Sequence, residues 1–155
     1  MKKVGLIFLA ACMILGSFAG CSQKSETANY NLDALSSQLE ASGAFSDILS
    51  PVDIKIAATQ YGIDLKDVAE SKVFCSTGAT TEEIGLFKCT SGEAAARVKV
   101  AADERVKSQR TAYESYAPAE MPKLDDAIVT LKGVYVFYIV SADSSKAQAV
   151  LNKKS

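Results

Sequence analysis

"AIVTLKGVYVFYIVS", residues 127–141, is the strongest β signal in the chain. It divides into Ala127–Leu131 and Val134–Ser141, separated by Lys132-Gly133. Glycine tolerates the positive φ that a tight hairpin turn demands, so the two halves should pair antiparallel. The run "VYVFYIV" is apolar or aromatic on both alternating faces, which places it in the middle of a sheet.

Working upstream, Lys72–Ser76 ("KVFCS") and Ile84–Thr90 ("IGLFKCT") read as a second pair of strands around the turn-forming "TGATTEE". The segment between the two hairpins is helical. Ala95, Val98, Ala102, Val106, Gln109, Tyr113 and Tyr116 advance by three or four residues and trace one face. Thr90 and Glu93 have the spacing of a capping box at its start, and Pro118 and Pro122 end it. Asp103 and Lys107 form an expected i,i+4 pair on its outer side.

Earlier still, Asn31 is placed to cap a helix carrying Leu32, Leu35 and Leu39, with Gly43 as its stop. Ser50-Pro51 announces a second helix with Val52, Ile56 and Tyr61 on its apolar face and Gly62 at its end. Ala147–Leu151 supplies a closing helix. The expected class is therefore α+β: an antiparallel sheet of about four strands, packed by one long helix and shorter N- and C-terminal helices.

The first thirty residues follow different rules. Lys2 and Lys3 precede an uncharged apolar stretch, and Phe18, Ala19 and Gly20 lead to Cys21. A basic start, a short apolar core and small residues before a boundary describe an export signal. Val4–Gly20 is only 17 residues and contains three glycines, short of the roughly 20 residues that span a bilayer comfortably. "SFAGC" resembles the lipobox of bacterial lipoproteins, with Phe18 where leucine is usual. That resemblance implies a diacylglyceryl group on the Cys21 thiol and cleavage just before it. Two acyl chains give durable membrane anchoring where one does not. The expected organisation is a signal peptide over 1–20, a polar tether over 21–30 and one globular domain over 31–155. Cys12 lies inside the discarded core.

Three further stretches, "TGATTEEIGLFKC" (77–89), "YESYAPAEMPKLDDAIVTLKG" (113–133) and "YVFYIVS" (135–141), resemble a domain-of-unknown-function family found in lipoproteins of Gram-positive bacteria. The resemblance extends over Leu32–Leu151. It implies an exported, membrane-attached α+β domain at the outer face of the cytoplasmic membrane, with no established activity or catalytic residues to transfer. Cys75 and Cys89 are not part of the family pattern.

Composition narrows the chemistry. Histidine is absent, which removes Ser-His-Asp and Cys-His catalysis and imidazole-based zinc sites from this chain. Without Lys2 and Lys3 the chain has 15 basic against 18 acidic residues, a net charge of -3. No basic face for nucleic acid is expected from that balance. No cofactor and no metal site are expected either: two cysteines without histidine are a poor ligand set, and no calcium loop is present.

The remaining candidates are few. Cys75 and Cys89 are symmetric about Glu82, whereas the turn residues centre near Gly78 or Ala79. That offset separates the two thiols by roughly 20 Å along the strands, so free thiols are expected rather than a disulfide. Ser76–Thr81 ("STGATT") could present amides to an anion but lacks the lysine and spacing of a P-loop, so a surface loop is expected. Glu82-Glu83 and Asp125-Asp126 are neighbouring carboxylates, expected to point apart and to be solvated. Tyr135, Phe137 and Tyr138 belong in the core, leaving Tyr113 and Tyr116 with Ser76 and Thr77 as the candidate ligand or partner surface. Two functions follow from these features. One is a non-enzymatic binding or scaffolding domain, with an envelope protein or cell-wall polymer as partner. The other is a small envelope hydrolase acting through Ser76, or through Glu82 or Glu83 brought near Asp125 or Asp126.

Overall fold

The computed structural model describes residues 29–153. Phe18, Ala19, Gly20, Cys21 and most of the tether lie outside the described residues. The domain is α+β, a five-stranded sheet with helices on both faces.

The strands are β1 (Ser50–Pro51), β2 (Val68–Cys75), β3 (Glu83–Cys89), β4 (Ile128–Lys132) and β5 (Tyr135–Val140). Their order is β1-β2-β3-β5-β4, and every pairing is antiparallel. The helices are α1 (Leu32–Glu40), α2 (Ile54–Tyr61), α3 (Gly92–Tyr116), α4 (Met121–Asp125) and α5 (Ser144–Asn152). All six residues of β5 are buried. It lies in the interior of the sheet, although β3 is the central strand.

Alternation along β3 and β5 divides the core in two. Phe87, Cys89, Val136, Tyr138 and Val140 face α2, α3 and α4. Ile84, Leu86, Tyr135, Phe137 and Ile139 face α1 and α5. α3 can lie close to its face because Ala94, Ala95, Val98 and Ala102 are the residues it buries there.

The fifth strand is a correction to the expected four. Ser50 and Pro51 do not open α2; they pair with Cys75 and Phe74 at the sheet edge. Proline lacks a donor, and an edge is where a strand tolerates that loss. α2 starts later, where the Asp53 carboxylate accepts from the Lys55 amide at 2.8 Å. Its buried face is Ala57, Ala58 and Tyr61, while Ile56 is exposed.

Two local details of α3 also differ. Ser91 is the N-cap, its hydroxyl accepting from the Ala94 amide at 3.1 Å. The Thr90 hydroxyl instead donates to the Lys66 carbonyl, 3.3 Å away. Asp103 pairs with Lys99 rather than Lys107, which takes Glu104. Both lysines lie one turn from Asp103, and the Lys99 pair forms although the acid-first order is the more favourable one on an isolated helix.

Gly85 is required by a neighbour. A Cβ built there would stand 2.6 Å from the Tyr61 hydroxyl and 3.0 Å from the Phe87 ring. Tyr61 is buried and packs edge-on against Phe87 and Tyr138, so it has little room to retreat. Gly85→Ala should lower stability by about 1–3 kcal/mol. In Gly85→Ala/Tyr61→Phe, part of that loss should return because the obstructing oxygen is gone. Thermal unfolding of the two single variants and the double checks the coupling; strictly additive losses would contradict it.

Candidate functional site

Glu83 opens β3 and Glu82 directly precedes it, and extended backbone sends consecutive side chains to opposite faces. Glu82 and Glu83 therefore do point apart. They are not solvated, however: each is only 1% exposed. That corrects the sequence expectation for both.

Glu83 turns toward α3. Its Oε2 accepts from Arg105 at 3.0 Å and from the Gln109 amide at 2.8 Å. Arg105 and Gln109 are four residues apart, so one stripe of the helix presents both. The Gln109 carbonyl in turn accepts from the Tyr138 hydroxyl at 2.6 Å. The Arg105 guanidinium lies 5.6 Å from the centre of the Tyr61 ring. Burial, reinforced by Glu83, pushes the Tyr61 and Tyr138 phenols well above their ordinary value, so both remain neutral. Glu83 Oε1, Arg105 Nε and the Tyr61 hydroxyl are buried without a hydrogen-bond partner among the described residues.

Glu82 turns the other way and is saturated with donors. It accepts from the amides of Ser46 and Asp47, each at 2.9 Å, and from the Ser46 hydroxyl at 2.5 Å. Lys123 reaches it at 3.0 Å and also holds Glu120 at 3.1 Å. Glu120 accepts from the Thr81 amide at 2.9 Å, tying α4 to the β2–β3 loop. Burial alone would raise the Glu82 carboxyl. The Ser46 and Asp47 donors and Lys123 outweigh it and hold the group below the usual carboxylate range.

The loop itself is closed from above. Ser76 donates its hydroxyl to the Thr80 carbonyl at 2.6 Å, so its oxygen is engaged in a turn rather than poised beside a base. Thr77 is exposed. Tyr113 donates to the carbonyls of Gly78 and Thr80 at 3.0 and 3.1 Å, clamping the loop to the end of α3. Tyr116 packs edge-on against Tyr113 yet remains 75% exposed. Asp125 pairs with Arg110 at the surface, and Asp126 is exposed. Neither is a partner of Glu82 or Glu83.

Cys75 and Cys89 are free thiols at opposite ends of the β2–β3 ladder. Cys75 is paired with Glu83 and Cys89 with Val68, and the first pair is centred on Ala79. Burial, with Glu83 adding to it, pushes the Cys75 thiol up to about 12. Burial, then Asp67, raises Cys89 to about 11. At neutral pH neither is a competent nucleophile. Among the described residues no group of three or more acids and cysteines is placed to hold a metal ion, and no helix is long and apolar enough to cross a membrane.

Tyr116, Tyr113 and the 76–81 loop share one end of the sheet with the loop after α1. That second loop carries Ile48, 83% exposed, beside a shallow pocket of 240 Å³ lined by Glu40, Phe45, Asp47, Ile48 and Leu49. Tyr116 at the end of α3 and Ile48 in the loop after α1 are thus each exposed apolar side chains at this end of the sheet. Residues 42–141 match the family described as a domain of unknown function, DUF4358. The chain belongs to the DUF4358 family. Comparison with curated proteins and with solved structures gave no significant match. The DUF4358 match spans the whole sheet with α2, α3 and α4; α1 and α5, which cover the second face, flank it.

The buried members of this region were hidden in the sequence. Arg105 falls inside the apolar stripe of α3, between Ala102 and Val106, and that position is the one available sign that it faces the sheet. Ser46 and Lys123 are 77 residues apart and carried no signal at all.

Two measurements follow. Because the folded pKa of Glu82 lies below its unfolded value, its contribution to stability is complete above the unfolded pKa and is lost as pH falls through the folded one. Stability should therefore decline below about pH 5. Glu82→Gln should cost about 1–3 kcal/mol at neutral pH and flatten that acid limb, as denaturant unfolding across pH would record. A thiol-disulfide exchange reagent at neutral pH should modify the buried Cys89 only as fast as the domain unfolds, and the half-buried Cys75 more slowly than an exposed thiol. Rapid reaction of Cys89 in the native state would contradict its burial.

Proposed function

We propose that this DUF4358 protein is an exported, lipid-anchored binding or scaffolding domain. It is held at the outer face of the cytoplasmic membrane of a Gram-positive bacterium by a diacylglyceryl group on Cys21. Its partner is an envelope protein or a cell-wall polymer, engaged through the surface around Tyr116, Ile48 and the 76–81 loop.

One observation supports the reading: the first described residues, Asn29 and Tyr30, and the exposed Tyr116 and Ile48 lie at opposite ends of the sheet. The Tyr135 hydroxyl donates to the Asn29 side chain at 2.8 Å, and Tyr30 packs edge-on against Tyr135 and Phe137. Tyr135 starts β5, which ends at Val140 beside Glu83 and the loop. α3, 25 residues and so about 37 Å long, runs from the exit end and carries Tyr113 and Tyr116 past the far end of the strands. Residues 21–28 extend at most about 28 Å. An anchor on Cys21 would thus hold the Asn29–Tyr30 end within reach of the bilayer and leave Tyr116 at the end away from the attachment. Binding is favoured over catalysis because Glu82, Glu83, Asp125 and Ser76, the groups a hydrolase would use, are engaged in the fold's own hydrogen bonds and ion pairs.

Metabolic labelling with a palmitate analogue should mark the wild-type protein and not Cys21→Ala; label retained by the variant would sink the anchor. A photo-crosslinking residue at position 116 should trap a defined envelope component that the same residue at position 132 does not. Equal trapping at both positions would remove the assignment of the surface.

A further inference from the structure

We propose that the end of the domain around the chain exit is a docking surface for anionic lipid headgroups, formed by Lys88, Lys132 and Lys153. The inference rests on the Cys21 anchor proposed above and adds an orientation to it.

Lys88 and Lys132 are the cross-strand neighbours of Tyr135 on β3 and β4, so a row of three strands carries lysine, tyrosine, lysine. Cross-strand partners share a face, and this is the face against which Tyr30 packs. Lys88 Nζ lies 5.9 Å from the centre of the Tyr135 ring, and Lys132 Nζ lies 5.8 Å from that of Tyr30. Lys132 also donates to the Leu151 carbonyl at 3.0 Å, which brings the end of α5 and the exposed Lys153 alongside. Lys88 and Lys132 thus stand over the rings of Tyr135 and Tyr30, next to the first described residues, and Lys153 follows directly on the end of α5.

The other charges at this end largely cancel. Lys66 pairs with Asp64 and Arg97 with Asp67, while Glu70, across from Lys88, and Glu93 are exposed acids. At the opposite end Glu120 and Asp125 are likewise cancelled by Lys123 and Arg110, and the acids that remain there without an ion-pair partner among the described residues are Glu40, Asp47, Glu114 and Asp126. A bilayer of negative charge attracts one end of this arrangement and repels the other. Each lysine near such a surface contributes modestly, and the attraction fades within a Debye length. A covalent tether makes modest attraction sufficient, because the domain is already held at high local concentration. The lipid fixes where the protein is; the lysines fix which way it stands.

The chain contains no tryptophan, so single reporters can be introduced at Leu131, beside Lys132, and at Tyr116. The full-length lipidated protein is reconstituted into phosphatidylcholine vesicles with or without phosphatidylglycerol, and quenching by brominated acyl chains reads depth. Leu131→Trp should be quenched about twofold or more strongly when phosphatidylglycerol is present, and Tyr116→Trp should be indifferent to it. High salt, or Lys88→Gln/Lys132→Gln/Lys153→Gln, should abolish the difference. The matching arginine triple should retain it, and thermal unfolding of both triples verifies the fold. Protein that floats with both kinds of vesicle but shows no dependence on phosphatidylglycerol, or equal quenching at the two positions, overturns the orientation and leaves the anchor standing. Protein that floats with neither overturns the anchor and this inference with it.

Discussion

The structure depends on the pairing of β3 with β5. Both strands are buried on both faces, so neither can rest against water, and each face must be roofed by helices. That single requirement accounts for most of the architecture. α3 covers one side with its alanines, and α1 and α5 cover the other with leucine and valine. The chain's long excursion between β3 and β4 exists to supply the first roof, and its two terminal helices supply the second.

The same burial dictates the polar chemistry at the end of β3. Two acids at the mouth of a strand enclosed on both sides cannot both reach solvent. One is drawn beneath α3, neutralised by Arg105 and hydrogen-bonded by Gln109; the other is drawn beneath the 45–47 loop and neutralised by Lys123. A buried ion pair is weak evidence of net stabilisation, because desolvation opposes the Coulomb gain. Its firmer consequence is specificity of register. A one-residue slip of β3 would exchange the two acids between faces that carry different partners, and every apolar side chain of the strand would be misplaced with them.

The antiparallel class was legible because hairpin turns and strand alternation are local, and both hairpins contain them. α3 was legible for the same reason, since its stripe repeats over many turns. β1 was not, because two residues make no period, and proline after serine has equal claim to a helix start. The burial of Glu82 and Glu83 was hidden because their partners are remote in sequence: Ser46 lies 36 residues before Glu82, and Arg105 lies 22 after Glu83. Local pattern identifies which residues form a strand. It does not identify which residues will meet at its end.

Lys132 touches both Tyr30 and the carbonyl of Leu151, so the first and last described elements come within reach of one side chain. A short peptide linker could join them without disturbing the sheet, and the exposed tip at Thr77–Ala79 offers new ends on the opposite side. The fold is thus topologically suited to circular permutation. A chain permuted in that way would keep its layers and invert its polarity, carrying its termini where the native domain carries its outermost loop.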